Sequence, residues 1–391
     1  MNENHHLCDA FLKHLIRLIK LRDYCAIIAR LKNKVYNKIM FNPKYTISDE
    51  IVSTLTAIAE SKALIDRAKL LPKNEIRLRR QALIRMTHSS TEIEGNILNV
   101  HQVEQLLANK KIDAPERDVF EVQNYFNALK YIDKIVQEKH DITVGTLLKI
   151  HGIVTNKTLL KEQSGHFRNC PIYVVKRRLG MSNEVVYTGP EQDIVPRLCE
   201  ELFDWIKESK DSDINPVLVA GIVHQEIAAI HPFVDGNGRT ARAIATLILY
   251  ERGYDFRKLF ALEDYYNKDR SSYYGAINIG KNYLERRVDF TPWLEYFTKG
   301  FKEEIDMVKA QIAALSLHKF NNKTEGKIFL DKDQLLILDF IDQMGKVTVI
   351  DAMDILDCPR RTAQLKLAKL RELGIIAQIG RGPSSAYIIS K

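Results

Sequence analysis

His231-Pro232-Phe233-Val234-Asp235-Gly236-Asn237-Gly238-Arg239-Thr240-Ala241-Arg242 is the stretch that sets the reading of the chain. Upstream runs a mostly apolar segment, Val217 to Ile230, interrupted only by His224-Gln225-Glu226; downstream runs another, Ala243 to Tyr250. Segments apolar on nearly every side read as buried helices, so a polar, glycine-rich loop is held between two core elements. A loop so placed leaves backbone groups unsatisfied unless it binds something. Two glycines flank Asn237, and Arg239 and Arg242 fall within the first turn of the next helix. Free amides at a helix start, its positive dipole end and two guanidiniums make an anion site suited to phosphates. His231 stands where the first helix must end, because Pro232 disfavours helical geometry at the residue before it. A helix C-terminus stabilises imidazolium, which predicts a proton acceptor better than an average histidine. Asp235, beside the cradle, is placed to hold a magnesium ion by one carboxylate.

Every defined position of the string matches His-Pro-Phe-x-Asp/Glu-Gly-Asn-Gly-Arg-x-x-Arg, the signature of the Fic family, which the chain resembles more weakly over about residues 41–300. The resemblance implies transfer of AMP from ATP to a hydroxyl side chain (Ser, Thr or Tyr) of a target protein, with ATP and Mg2+ as cofactors. It assigns His231 to deprotonating the incoming hydroxyl and Asp235 to the metal. Gly236, Asn237 and Gly238 would cradle the α- and β-phosphates, and Arg239 and Arg242 would engage the outer ones.

The 391 residues suffice for two or three domains. Of the net charge of +8, residues 1–40 supply +5, from eight Lys or Arg against three acids, so the rest of the chain is close to neutral. The basic balance therefore says little about the partners of the catalytic region. Five scattered cysteines without metal-ligand spacing fit reduced thiols in a cytoplasm, and no apolar run approaches the roughly 20 residues needed to span a bilayer.

Taken in order, residues 1–40 read as a basic helical extension. Residues 41–115 form an N-terminal helical region: Ser48 caps a helix from Asp49 to about Lys69, with Leu70-Leu71-Pro72 as its stop, and Asn74 caps a second. That second helix ends at Ser90-Thr91-Glu92-Ile93-Glu94-Gly95. Gly95 is a natural helix-ending residue, and Ser90 and Glu94, four apart, share a face. Glu94 then faces the negative end of the helix dipole and gains from a cationic partner. Ser90, Glu94 and Gly95 resemble the family's inhibitory motif, Ser/Thr-x-x-x-Glu-Gly/Asn. The resemblance implies that Glu94 pairs with Arg242 and excludes the γ-phosphate, so that ATP binds in an unreactive pose.

Residues 116–320 are assigned to the catalytic domain. Helices read over Val100–Leu107, Asp118–Gln137, Thr143–Val154 and Gln192–Ser209, with Asn215-Pro216 starting the helix that leads to His231. Ile172-Tyr173-Val174-Val175 and Val185-Val186-Tyr187, around a Gly/Ser/Asn turn, read as a hairpin; in the family such a hairpin is the flap that aligns the target backbone by strand addition. Tyr273 and Tyr274 lie in a helix that the resemblance assigns to the adenine pocket, although Lys281 stands where the family pattern often has Asn. Both tyrosines also suit simple packing.

Beyond a helix over Leu294 to about Leu317, Asn321–Gly326 reads as a linker. Residues 331–391 read as a winged helix-turn-helix: three helices, then a β pair around Gly380-Arg381-Gly382-Pro383. Arg360, Arg361, Lys366, Lys369 and Arg371 charge the recognition helix, which leaves DNA and a protein as alternative partners. The fold class is mainly α, a helical Fic core with a β-hairpin flap plus the winged helix. Expected partners are a hydroxyl-bearing target protein, with self-modification and a homodimer left open and no membrane. Rival functions are a DNA-binding regulator whose Fic core senses nucleotide, and phosphocholine transfer or AMP removal on the same scaffold.

Overall fold

The computed structural model describes residues 41–68, 70–176, 184–286, 289–321, 330–380 and 385–390. The basic extension over 1–40, all but the first residue of the 321–326 linker, the hairpin turn and residues 381–384 of the wing lie outside the described residues.

The elements run, in order, α1 (Asp49–Arg67), α2 (Pro72–Ile93), α3 (Val100–Leu107), α4 (Glu116–Glu138) and α5 (Val144–Val154). Two strands come next, β1 (Tyr173–Lys176) and β2 (Glu184–Thr188). They lead to α6 (Val195–Glu208), α7 (Pro216–Ile230), α8 (Asn237–Glu251), α9 (Leu262–Lys268), α10 (Arg270–Ile277) and the long α11 (Thr291–Asn321). The chain closes with α12 (Lys332–Met344), α13 (Val349–Leu356), α14 (Arg360–Glu372), β3 (Ile376–Ile379) and β4 (Ala386–Ile389).

Several boundaries arise from local chemistry. Ser48, Thr143 and Asn215 each accept a backbone N–H in the first turn of the adjoining helix. Pro72, expected to stop α1, instead occupies the first position of α2, where its missing N–H costs nothing; Asn74 lies inside the helix and is not its cap. Gly95 takes φ +97° just past α2, a left-handed turn open to glycine.

The centre is the α7–α8 pair, with α4 and α5 packed on α8, and α6 and α11 on α7. Almost every residue of α7 is buried, including its three polar ones, and each of those has a partner. His224 Nε2 lies 3.1 Å from Tyr273 Oη, Gln225 donates to the Ile277 carbonyl, and Glu226 is held by Tyr283 Oη (2.8 Å) and Arg286. A buried polar group costs little once so paired, although His224 Nδ1 has no hydrogen-bond partner among the described residues.

β1 and β2 pair antiparallel, Tyr173 opposite Thr188 and Lys176 opposite Glu184, with an irregularity between Val174 and Val175. β2 is bridged on its other side to Asn282, whereas β1 has no second strand partner among the described residues. Ile172 lies just outside the strand, its carbonyl accepting from Gly189 N–H at 3.2 Å.

In the C-terminal unit β3 and β4 pair antiparallel beside α12, α13 and α14 around Ile337, Leu338, Ile341, Ala363, Leu367 and Ile376. Its apolar cluster also takes in Ile76 of α2, and Arg79 of α2 reaches Asp339 at 3.5 Å. Of the five basic residues expected to charge α14, three are already engaged. Lys366 pairs with Asp331 and Asp333, Lys369 with Glu372, and Arg371 donates to Gln378. Arg360 and Arg361 are exposed. Among the described residues no helix is long and apolar enough to cross a membrane.

Candidate active site

His231 caps α7 in the left-handed region, φ 50° and ψ 60°. A non-glycine residue there needs support, and Arg168 provides it. The Arg168 guanidinium donates to the carbonyls of His231 (2.8 Å), Cys170 (2.9 Å) and Pro190 (2.6 Å), while its backbone N–H donates to Pro232 O (2.9 Å). His231 Nδ1 lies 3.1 Å from the Ala228 carbonyl. A carbonyl only accepts, so Nδ1 carries the hydrogen and Nε2 keeps the lone pair.

The structure corrects the expectation of raised basicity at His231. Burial lowers its pKa below the ordinary 6.5, and the Arg168 charge lowers it further; the Ala228 carbonyl, Glu94 and Asp235 push the other way and lose. Desolvation outweighs the helix terminus. The consequence is a histidine that is neutral, hence competent to accept a proton, at neutral pH.

A second histidine holds the loop from below. His151 of α5 accepts Gly165 N–H at Nδ1 (2.9 Å) and faces the Asp235 carbonyl with Nε2 (3.0 Å). Its ring stacks on Phe233, centroids 3.6 Å apart and the planes nearly parallel. Burial pulls its pKa down to about 4, so it stays neutral and Nε2–H donates to Asp235 O.

Asn237 closes the loop on itself: its Oδ1 accepts Phe233 N–H (2.9 Å) and its Nδ2 donates to Phe233 O (2.8 Å). Its side chain is therefore spent, and what it offers a phosphate is its backbone at the start of α8. Gly236 precedes that start at φ +79°, where a β-carbon would also press on Thr155. The first-turn N–H groups of α8 have no earlier carbonyl to pair with, and they face the mouth of an anion cradle.

The Glu94 carboxylate already sits over that cradle. A β-carbon on Gly238 would run into Glu94 Oε1. The same oxygen accepts from Arg242 Nη2 at 2.7 Å. Arg242, with 1% of its side chain exposed, also donates to Ser90 Oγ (2.9 Å), to Ser90 O (2.8 Å) and, at 3.4 Å, to Tyr273 Oη. Burial acts to lower the Arg242 pKa, but the Glu94 charge and its neighbours raise it overall, so the guanidinium stays charged.

At the other end, Asp235 Oδ1 accepts Gly236 N–H (2.6 Å) and lies 3.5 Å from Arg239 Nη2, while Oδ2 meets Arg117 Nη2 at 3.1 Å. Glu121 Oε1 is shared by Arg117 Nε (3.2 Å) and Arg239 Nη1 (3.3 Å), and Asn96 donates to Oε2 (3.1 Å). Arg239 is 2% exposed, and its buried Nε has no hydrogen-bond partner among the described residues. Asp235 is 41% exposed at the lip, and no cluster of three or more His, Cys, Asp or Glu suited to a metal occurs among the described residues. One open carboxylate beside a phosphate cradle fits Mg2+ that arrives on nucleotide, not a metal held in a protein cage.

The two tyrosines part company. Tyr273 is buried against His224, Tyr266 and Trp293, with its hydroxyl turned to His224 and Arg242. Tyr274 is half-exposed and donates to the Ile93 carbonyl at the end of α2 (3.2 Å). Neither contact was legible in sequence, and the same holds for Arg168, His151, Arg117 and Glu121, whose partners lie far along the chain.

A helical hairpin presenting a histidine cap and an anion cradle defines the class. Residues 141–249 match the model of the Fic/DOC family. Among curated relatives, the protein adenylyltransferase Fic of Drosophila willistoni is 29% identical over 251 residues, 62% of this chain and 48% of that protein. That of Drosophila melanogaster is 30% identical over 202 residues, 51% and 37%. The chain thus spans about half or less of the length of these relatives. Among solved structures, a Fic family protein from Desulfovibrio desulfuricans G20 aligns with a TM-score of 0.57 at 23% identity, over 90% of this chain and 98% of that one. Fic-1 from C. elegans gives 0.54 at 21%, over 68% and 74%.

Proposed function

We infer that the protein transfers AMP from ATP to a hydroxyl of a target protein and that Glu94 holds this activity down. The observation that carries the reading is a neutral His231, lone pair on Nε2, beside a cradle whose occupant is the carboxylate of Glu94. In the reaction His231 Nε2 takes the hydroxyl proton, the oxygen attacks the α-phosphorus, and the bond to the β-phosphate oxygen breaks to release pyrophosphate. Arg239 and the α8 amides meet the charge that develops on the leaving phosphates. Mg2+, held by Asp235 when bound, supplies further charge neutralisation there.

Glu94 opposes this through Arg242. A carboxylate and a γ-phosphate are rival charge-assisted partners for one guanidinium, and with Glu94 in place the phosphate chain loses that anchor. The open edge of β1, with Tyr173 and Val175 exposed, offers a target segment a strand to pair with, which supports its reading as the flap. Residues 331–391 we read as a winged helix, on the strength of three helices and a ribbon around a shared cluster. The test is labelled AMP incorporated into protein from a lysate, by wild type and by Glu94→Gly, with the acceptor identified by mass spectrometry. Label transferred by neither variant would overturn the reading.

A further inference from the structure

We propose that Arg117 is a positioning residue built against the metal: its guanidinium holds the Asp235 oxygen that a divalent cation needs. The proposal rests on the reading of Asp235 as the metal-side carboxylate. Its basis is geometric. Asp235 Oδ1 is engaged by the Gly236 N–H and approached by Arg239, which leaves Oδ2 as the oxygen a cation would take, and Arg117 Nη2 stands 3.1 Å from it.

Arg117 reaches that point from the first turn of α4, held through Nε by Glu121 at 3.2 Å. Glu121 also pairs with Arg239, so two arginines and two carboxylates close a ring: Arg117, Asp235, Arg239, Glu121. The ring is neutral as it stands. A divalent cation that takes Asp235 Oδ2 would compete there with the guanidinium already 3.1 Å from it. Arg239 is buried, whereas the Arg117 side chain is 64% exposed and free to swing into water. Arg117 is the member that leaves, and it can keep its Glu121 contact as it does so.

An exposed ion pair contributes little, so the competition is shallow: removing it should tighten metal binding about two- to fivefold. The experiment uses the full chain in a Glu94→Gly background, saturated with an ATP analogue carrying a methylene between the α- and β-phosphorus atoms. Mn2+ is titrated in and its free fraction read by electron paramagnetic resonance. Arg117→Gln should bind Mn2+ about two- to fivefold more tightly than its parent, with Arg117→Lys between them. Nucleotide affinity in excess chelator should stay within about twofold, since Arg117 acts through the carboxylate and touches no phosphate. The gain should vanish in Arg117→Gln with Asp235→Asn. Unchanged or weaker Mn2+ binding by a folded Arg117→Gln, judged by its melting curve, overturns the proposal. So does a tenfold or greater loss of metal-free nucleotide affinity, which would make Arg117 a phosphate ligand. If Asp235→Asn alone keeps full Mn2+ affinity, the assignment of Asp235 fails first, whatever Arg117 does.

Discussion

The loop from His231 to Arg242 and the side chains that cover it are built in opposite ways. The loop is secured by short contacts to its backbone: Arg168 on the His231 carbonyl, His151 on the Asp235 carbonyl, Asn237 on both polar groups of Phe233. The cover is held by ion pairs between side-chain tips and comes from earlier helices, Glu94 at the end of α2 and Arg117 at the start of α4. Backbone contacts fix geometry; tip-to-tip ion pairs can be exchanged for another anion or cation. The difference predicts a sign: loosening the frame should lower transfer, and loosening the cover should raise it.

The largest effect should come from the frame's reactive member. In the Glu94→Gly background, His231→Ala should lower AMP transfer by about 100- to 10,000-fold while nucleotide binding persists, because general-base removal typically costs that much. Near-normal transfer would detach His231 from the chemistry.

Next is the cover itself. Glu94→Gly should raise transfer on the order of 100-fold, the cost of a misplaced α-phosphate being relieved. Adding Arg242→Ala should erase the gain, because the freed anchor is then missing. Wild type equal to Glu94→Gly would return Glu94 to an ordinary helix end.

Arg168→Gln tests whether the frame acts at a distance from the phosphates. It leaves three carbonyls, that of Pro190 buried, without their charged donor, so kcat should fall on the order of tenfold through misalignment of His231. Nucleotide affinity should hold, and a parallel loss of affinity would mean that the whole loop had moved.

The mildest test is the pH profile of Glu94→Gly. As the proposed base His231 would have to be neutral, and burial lowers its pKa from 6.5. The rate should therefore rise with pH through a midpoint below 6.5 and stay level from there to neutrality. A midpoint above 7 would mean that the helix terminus, not burial, governs the ring.

What sequence reveals in this chain depends on the range of the interactions. The apolar runs before and after His231, the caps Ser48, Thr143 and Asn215, and the shared face of Ser90 and Glu94 are local, and each reappears in the structure. Pro72 failed because a proline at a helix boundary is as good a beginning as an end. The basicity of His231 failed because the helix end is visible in sequence and desolvation is not. Arg168 lies 63 residues from the carbonyl it supports, and His151 lies 84 from its own, so no spacing rule reaches them. Tyr273 belonged to a pattern consistent with both packing and a pocket, and its burial beside Arg242 depends on where α10 settles.

Helix α2 spans 22 residues and is about 33 Å long. Its first turns insert Ile76 into the C-terminal apolar cluster and extend Arg79 to Asp339, and its last turn presents Ser90 and Glu94 to Arg242. A continuous helix joins those two grips, so one rigid element carries contacts to both parts of the molecule. If nucleotide displaces Glu94 by moving α2 as a whole, a ligand of the C-terminal unit would act on the same equilibrium. Whatever factor one imposes on the other's affinity is returned in equal measure.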